Sequence, residues 1–256
     1  NSGDYVELPE NFIVDSEDGI TFSIDIKTNW DSDEYIIDMQ GDSGFRYNLG
    51  RCCGYDPGFG VDGFGGVTYP EFLNMHDWLR VTGLINNNGS VKLYINGELV
   101  GDEIIAPNNY DLHHGTPKYL GAPNGLQNQY YNGYMDNFVI WNKVLDINEI
   151  NSVSLGEFPE ENMMVYYKFD ENGGSTVVDY SGNEMHGTIH GNAGYSTDVP
   201  PLAGCTDEYA DNYDETATID DGSCEYPDNG DYSLSFDGVD DYVNLGDILN
   251  ELYQPI

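Results

Sequence analysis

The feature that most constrains this chain is period-two alternation of apolar residues in short segments, which dominates its first part. "TFSIDIKT" at 21–28, "EYIIDM" at 34–39, "WLRVTGLI" at 78–85, "SVKLYING" at 90–97 and "MDNFVIWN" at 135–142 each place apolar side chains on one face. Such segments bury one face of a strand and wet the other. Asn86-Asn87-Asn88-Gly89 and Asn96-Gly97 tolerate positive φ in tight turns, so a three-stranded antiparallel meander is predicted over about 78–101. One stretch reads as helix, "LDINEINSV" at 145–153, with Asp146 as cap and Glu149 three residues on. It is short, and it is expected to pack on a sandwich edge. With 39% apolar and 13% aromatic residues, a chain of 256 can bury the core of one large all-β domain and carry a smaller module.

Charge narrows the function. With 46 Asp+Glu against 8 Lys+Arg the net charge is −38, and the resulting field repels phosphate backbones and anionic lipid. Nucleic acid and direct membrane insertion are therefore excluded as expected partners. High salt, or divalent cations on clustered carboxylates, makes such a charge tolerable, and both conditions lie outside the cell. No apolar run approaches the length of a membrane-spanning helix, and the first residues form no secretion leader, so the sequence is expected to be an interior piece of a secreted precursor.

Cys205 and Cys224 enclose a segment without apolar residues for a core, where a disulfide stabilises most effectively, so they are expected to be linked. The adjacent Cys52 and Cys53 are compatible with buried thiols, a vicinal disulfide or a bond to another chain. An internal echo relates "GDYVELP" at 3–9 to "DDYVNLG" at 240–246, 237 positions apart. "YSLSF" precedes the second copy at 232–236, and the pattern is that of one period of a tandem array.

"WLRVTGLINNNGSVKLYINGELVG" at 78–101, "YLGAPN" at 119–124 and "YNGYMDNFVIWNKVLDINEI" at 131–150 resemble the second half of the laminin-G-like, pentraxin-related jelly-roll domains, which have a concanavalin A-like β-sandwich. "VYYKFDENGGSTVVDYSGNEMHGTIHGNA" at 165–193 and "SLSFDGVDDYVNLG" at 233–246 resemble the segments that open such a domain. The resemblance implies residues 1–158 as a sandwich body, 159–203 as the opening of the following repeat, 204–226 as a Cys-bounded Asp-rich module and 227–256 as the first strands of that next repeat. The body then lacks its first strand and leaves an open edge near Asp4. Leu234 and Phe236 would fill such an edge in a neighbouring repeat or molecule, assembling the protein head to tail. "GCTDEYADNYDETATIDDGSC" at 204–224 resembles a module of large surface proteins of marine gliding bacteria, which commonly use the type IX secretion route.

Calcium is the expected cofactor, because clustered carboxylates and amides supply the hard oxygens it takes. The resemblance points to Asp136, with Asp179 and Asn183 in "DYSGN" and Asp237 and Asp241 in "FDGVDDY"; the Cys-bounded segment adds Asp207, Asp211, Asp220 and Asp221. Capping of turns by the same side chains is the alternative at each. His76, His113, His114, His186 and His190 are scattered and read as surface or turn residues. The glycosidase pattern Glu-x-Asp-x-x-Glu, the Gly-x-Ser-x-Gly elbow and His-Glu-x-x-His do not occur. The expectation is a non-catalytic adhesive repeat of a cell-surface filament, with a carbohydrate-binding module as the alternative, since Tyr and Trp stack on sugar rings and "QNQYYNGY" at 127–134 gathers tyrosines near a loop. The Gly-rich stretch at 54–66 presents Tyr55, Phe59 and Phe64 either as an intermolecular contact surface or as a loop packed on the sandwich.

Overall fold

The computed structural model describes residues 3–28, 33–40, 46–51, 56–61, 65–71, 76–105, 118–123, 128–227, 234 and 236–244. Two antiparallel sheets face one another. The first contains β1 (Tyr5–Glu7), β3 (Glu34–Gln40), β4 (Arg46–Arg51), β5 (Gly58–Val61), β6 (Gly65–Thr68), β10 (Lys118–Leu120), β13 (Thr176–Val177) and β14 (Gly187–His190), in the order β13-β14-β1-β10-β3-β4-β5-β6. The second contains β2 (Gly19–Thr28), β7 (Leu79–Asn86), β8 (Ser90–Ile95), β9 (Glu98–Ile104), β11 (Gly133–Trp141) and β12 (Met163–Tyr167), in the order β12-β11-β2-β7-β8-β9. The expected all-β sandwich and the β7-β8-β9 meander are both present. Asn96 and Gly97 turn the second hairpin at φ 49° and 83°, the conformation anticipated for Asn-Gly.

Alternation does the sorting. Ile20, Phe22, Ile24 and Ile26 of β2 meet Ile37, Leu49, Phe59 and Val61 of the facing sheet in one buried cluster. At 4.6 Å between ring centroids, Phe22 and Phe59 pack edge to face. A Cβ on Gly83 would lie 2.5 Å from Phe22 and 2.7 Å from Phe59, so only glycine leaves room for that pair. Phe59 is therefore a core residue, 2% exposed, which excludes it from the intermolecular contact surface, one of the two readings of its Gly-rich surroundings. The glycines of this stretch serve close strand pairing: Gly58 and Gly60 of β5 lie opposite Thr68 and Gly66 of β6. Tyr55, Phe64, Cys52, Cys53, His113 and His114 lie outside the described residues.

Helix α1 (Ile147–Ser154) begins with the predicted capping box: Asp146 accepts from the amides of Asn148 and Glu149, and Glu149 accepts from that of Asp146. Ile150 and Val153 pack with Leu84, Tyr94, Val139 and Trp141 in a second buried cluster. These sheet residues alternate with those of the main core, so the helix covers the outer face of the six-stranded sheet and not an edge.

The largest departure from expectation concerns residues 159–203. Strand β12 pairs with β11, β14 pairs with β1, and Val165, Tyr167 and Val177 are fully buried in the same core as Phe138. The segment placed in the following repeat thus completes the sandwich formed by 3–158. The edge expected to be open near Asp4 is filled by β14, with Val6 opposite Ile189 on one side and Leu120 on the other. Residues 234 and 236–244 remain outside the sandwich, with Leu234 75% and Phe236 53% exposed. Cys205 and Cys224 are disulfide-bonded as expected, closing a module whose regular structure is a two-residue parallel pair, β15 (Ala203–Gly204) with β16 (Ile219–Asp220).

Candidate functional site

A cleft of about 620 Å³ opens between the two sheets, beside the β1 and β11 ends, within the size range of small-ligand sites. Its floor includes Val6, Leu120 and Met135; its walls carry Trp78, Tyr134, Phe169 and Tyr195, with Asp4, Asp136, Asp170 and Asp198 among them. Residues 193–199, which have no strand or helix, form one wall.

Each wall is positioned by a distinct local device. In β11 the register with β2 shifts between Asp136 and Val139, and Asn137 takes φ 46°. Such a bulge re-aims side chains on either side of it. It directs the Asn137 amide onto Asp25, whose Oδ2 accepts at 2.9 Å. Arg80 grips the same carboxylate with two short bonds, Nε to Oδ1 at 2.7 Å and a terminal nitrogen to Oδ2 at 2.6 Å. It also donates to the Val153 carbonyl at the end of α1 and lies 5.1 Å from the Phe158 ring centre. The buried pair ties the helix to the strand that bears Asp136.

Asp136 is the sequence-predicted residue that reaches this cleft. Burial, with smaller contributions from the Asp25 and Asp170 carboxylates, pushes its carboxyl up to about 7 against the opposing effects of the Asn137 amide and Arg80. The Asn137 amide donates to one of its oxygens at 2.8 Å. Asp25 is already held by Arg80 and Asn137, so Asp136 and Asp170 are the carboxylates that face the cleft on this side.

The other predicted ligands do not converge on it. Asp179 is 7% exposed and accepts four hydrogen bonds, from the Tyr166, Ser181 and Met185 amides and the Ser181 hydroxyl. Asn183 donates to the Met163 and Met164 carbonyls. Both organise the turn between β13 and β14 and fasten it to β12, as the turn-capping alternative has it. In the Cys-bounded module, Asp207 takes bonds from the Tyr209 amide and Tyr226 hydroxyl, which hold its carboxyl below the usual range, while Asp220 and Asp221 cap the Gly222 and Ser223 amides. Asp211 anchors through its backbone, donating to Glu225. Among the described residues, one group of three carboxylates could share an ion: Asp237 and Asp241 with Asp240, all exposed.

Trp78, Tyr195, Asp170, Asp198 and Lys27 were not anticipated as site residues. Tyr134 lies in the tyrosine-rich stretch noted at 127–134, but nothing in the sequence pairs it with Trp78, whose ring centre is 6.2 Å away. Tyr195 is held by donation to Glu171 at 3.1 Å, and burial together with that bond pushes its hydroxyl up to about 12.

Comparison with known proteins bears on the fold that carries this cleft. A structure of a Bacteroides ovatus protein of proposed carbohydrate-binding function superposes with a TM-score of 0.57 at 18% identity, over 77% of this chain and 58% of that one. A heptameric SAP-like pentraxin of Limulus polyphemus gives 0.44 at 12% identity, covering 76% of this chain and 89% of that one. Domains LG4-5 of the mouse laminin α1 chain give 0.40 at 14%, covering 56% and 43%. A curated match, ribulose bisphosphate carboxylase/oxygenase activase of Spinacia oleracea, is 52% identical over 40 residues, 16% of this chain and 8% of that protein. The family model of the concanavalin A-like lectin/glucanases superfamily matches residues 1–151, more than half of the sequence. The chain belongs to the concanavalin A-like lectin/glucanases superfamily.

Proposed function

We propose that this chain is a non-catalytic, extracellular adhesive domain that binds carbohydrate in the inter-sheet cleft. The observation that carries the reading is the make-up of that cleft, where Trp78, Tyr134, Phe169 and Tyr195 stand beside the carboxylates of Asp4, Asp136, Asp170 and Asp198. Aromatic faces cover the C–H face of a sugar ring, and carboxylates accept from its hydroxyls. The likeness to a Bacteroides ovatus protein of proposed carbohydrate-binding function supports the same class of ligand. A disulfide in a module without its own core supports an oxidising, extracellular setting, reached by the type IX route that the resemblance implies. Calcium at Asp136 would neutralise the carboxylate side of the cleft, and would stabilise the domain without entering any reaction.

A glycan array followed by titration of the best binder tests the reading. Trp78→Ala and Tyr195→Ala should each weaken binding by tenfold or more, about 1.4 kcal/mol, with the fold retained. Array-wide absence of binding, or binding indifferent to both substitutions, would overturn it.

Exposure of the second echo copy favours a further adhesive element. Tyr242 and Val243 in the copy at 240–246, and Leu234, Phe236 and Val239 just before it, are all more than half exposed. We propose that they join a neighbouring repeat or molecule of the same protein, as in a head-to-tail array.

A further inference from the structure

Asp198, on the irregular wall of the cleft, places its carboxylate between two donors. Lys27 donates from Nζ to Oδ2 at 2.7 Å, and Trp78 donates from its indole nitrogen to Oδ1 at 2.9 Å. The donors belong to the body of the sandwich, 171 and 120 positions earlier in the chain, whereas Asp198 belongs to a segment without regular structure. Tyr134 completes the corner, its ring centre 6.0 Å from the Lys27 nitrogen and 6.2 Å from the Trp78 ring. The two donors hold the Asp198 carboxyl below its usual range.

At the rim of the cleft, where Lys27 lines a small pocket that adjoins it through Asn132, Gly133 and Tyr134, a cation, an indole N–H and an aromatic wall form a receptor for a carboxylate on a ring. Its geometry is shown by the carboxylate it already holds. We infer that Lys27 and Trp78 form an acidic subsite of the cleft, and that Asp198 is an internal stand-in which a uronic-acid residue of a saccharide displaces, swinging the 193–199 wall outward. This inference rests on the carbohydrate reading of the cleft. The covalently tethered Asp198 competes at high effective concentration, so the acidic ligand binds weakly until the wall yields. The net charge of −38 opposes any anion at long range, and screening at the salt level of seawater leaves the short-range contacts to decide.

The experiment titrates trigalacturonate, and galactotriose as its uncharged counterpart, into the wild-type chain, Asp198→Ala and the isosteric Asp198→Asn at about 0.5 M salt, where the Debye length is only a few ångströms. Removal of the stand-in should tighten trigalacturonate binding by about tenfold or more in both variants and leave galactotriose within about twofold. Adding Lys27→Met to Asp198→Ala should abolish the gain. An equal gain for both sugars would make the wall a plain lid and overturn the acidic subsite while the carbohydrate reading stands. No gain for trigalacturonate, with galactotriose still binding, overturns it likewise. Failure of both sugars to bind any folded variant would sink this inference together with the cleft reading.

Discussion

At the scale of single residues, the cleft is supported by one buried ion pair and loaded by one reluctant carboxylate. The Asp25 and Arg80 side chains are 3% and 12% exposed, and removing one partner of such a pair leaves an uncompensated charge. Arg80→Met should therefore lower stability by about 3–5 kcal/mol in urea unfolding, and the Asn137 bulge should loosen with it. Asp136 gives the opposite result. Its carboxyl is raised from 3.8 to about 7 in the fold, so the folded state binds the extra proton, and stability falls as pH rises from about 4 to 7. Asp136→Asn removes that penalty, which solvent screening reduces to the order of 1 kcal/mol. The variant should melt a few degrees above wild type at pH 8 and no higher at pH 4. Millimolar calcium at pH 8 should raise the wild-type Tm and leave Asp136→Asn unmoved; equal responses would remove Asp136 from the calcium proposal.

At the scale of elements, β12 to β14 decide whether the sandwich is whole. Without them β1 and β11 each lose a paired neighbour, and Phe138 loses Tyr167, whose ring centre lies 5.9 Å away and whose hydroxyl is fixed on the Met185 carbonyl at 2.6 Å. An exposed apolar edge of this kind promotes association between chains. A truncation to residues 1–158 should accordingly aggregate or bind hydrophobic dyes, whereas 1–203 should unfold in one cooperative transition. Cooperative folding of 1–158 would restore the division at 158 drawn from the family's segment order. That order, opening segments first and body second, is what made 159–203 read as the start of another unit. Register alone cannot reveal that these strands return to their own body.

At the scale of the whole molecule, the sandwich and the Cys-bounded module are stabilised by different means. The sandwich has a continuous core from Val6 to Val177, whereas the module has Cys205 and Ala210 as its buried apolar residues and a disulfide across 19 positions. Closing a loop of that length stabilises by about 3 kcal/mol through the unfolded chain. Reduction should hence expose 204–226 to limited proteolysis while the main thermal transition stays within about 2 °C, as mass spectrometry and calorimetry would record. Coupled loss of both would show that the module supports the sandwich.

What the sequence determined by itself is local in origin. Alternating Ile and Phe in β2 select a strand and its core-facing side, although Thr21, Ser23 and Asp25 on the other side are buried as well, Asn96-Gly97 selects a tight hairpin, and Asp146 with Glu149 starts a helix, because each depends on residues a few positions apart. Tertiary structure decided the partners. Phe59 became core because Gly83 on the opposite sheet leaves space for it, and Asp179 became a turn anchor because four donors surround it. Alternation tells which face of a strand is buried but not which strand lies beside it. The rim of the cleft, where Lys27, Trp78 and Asp198 meet across as many as 171 positions, therefore exists only once the chain has closed on itself.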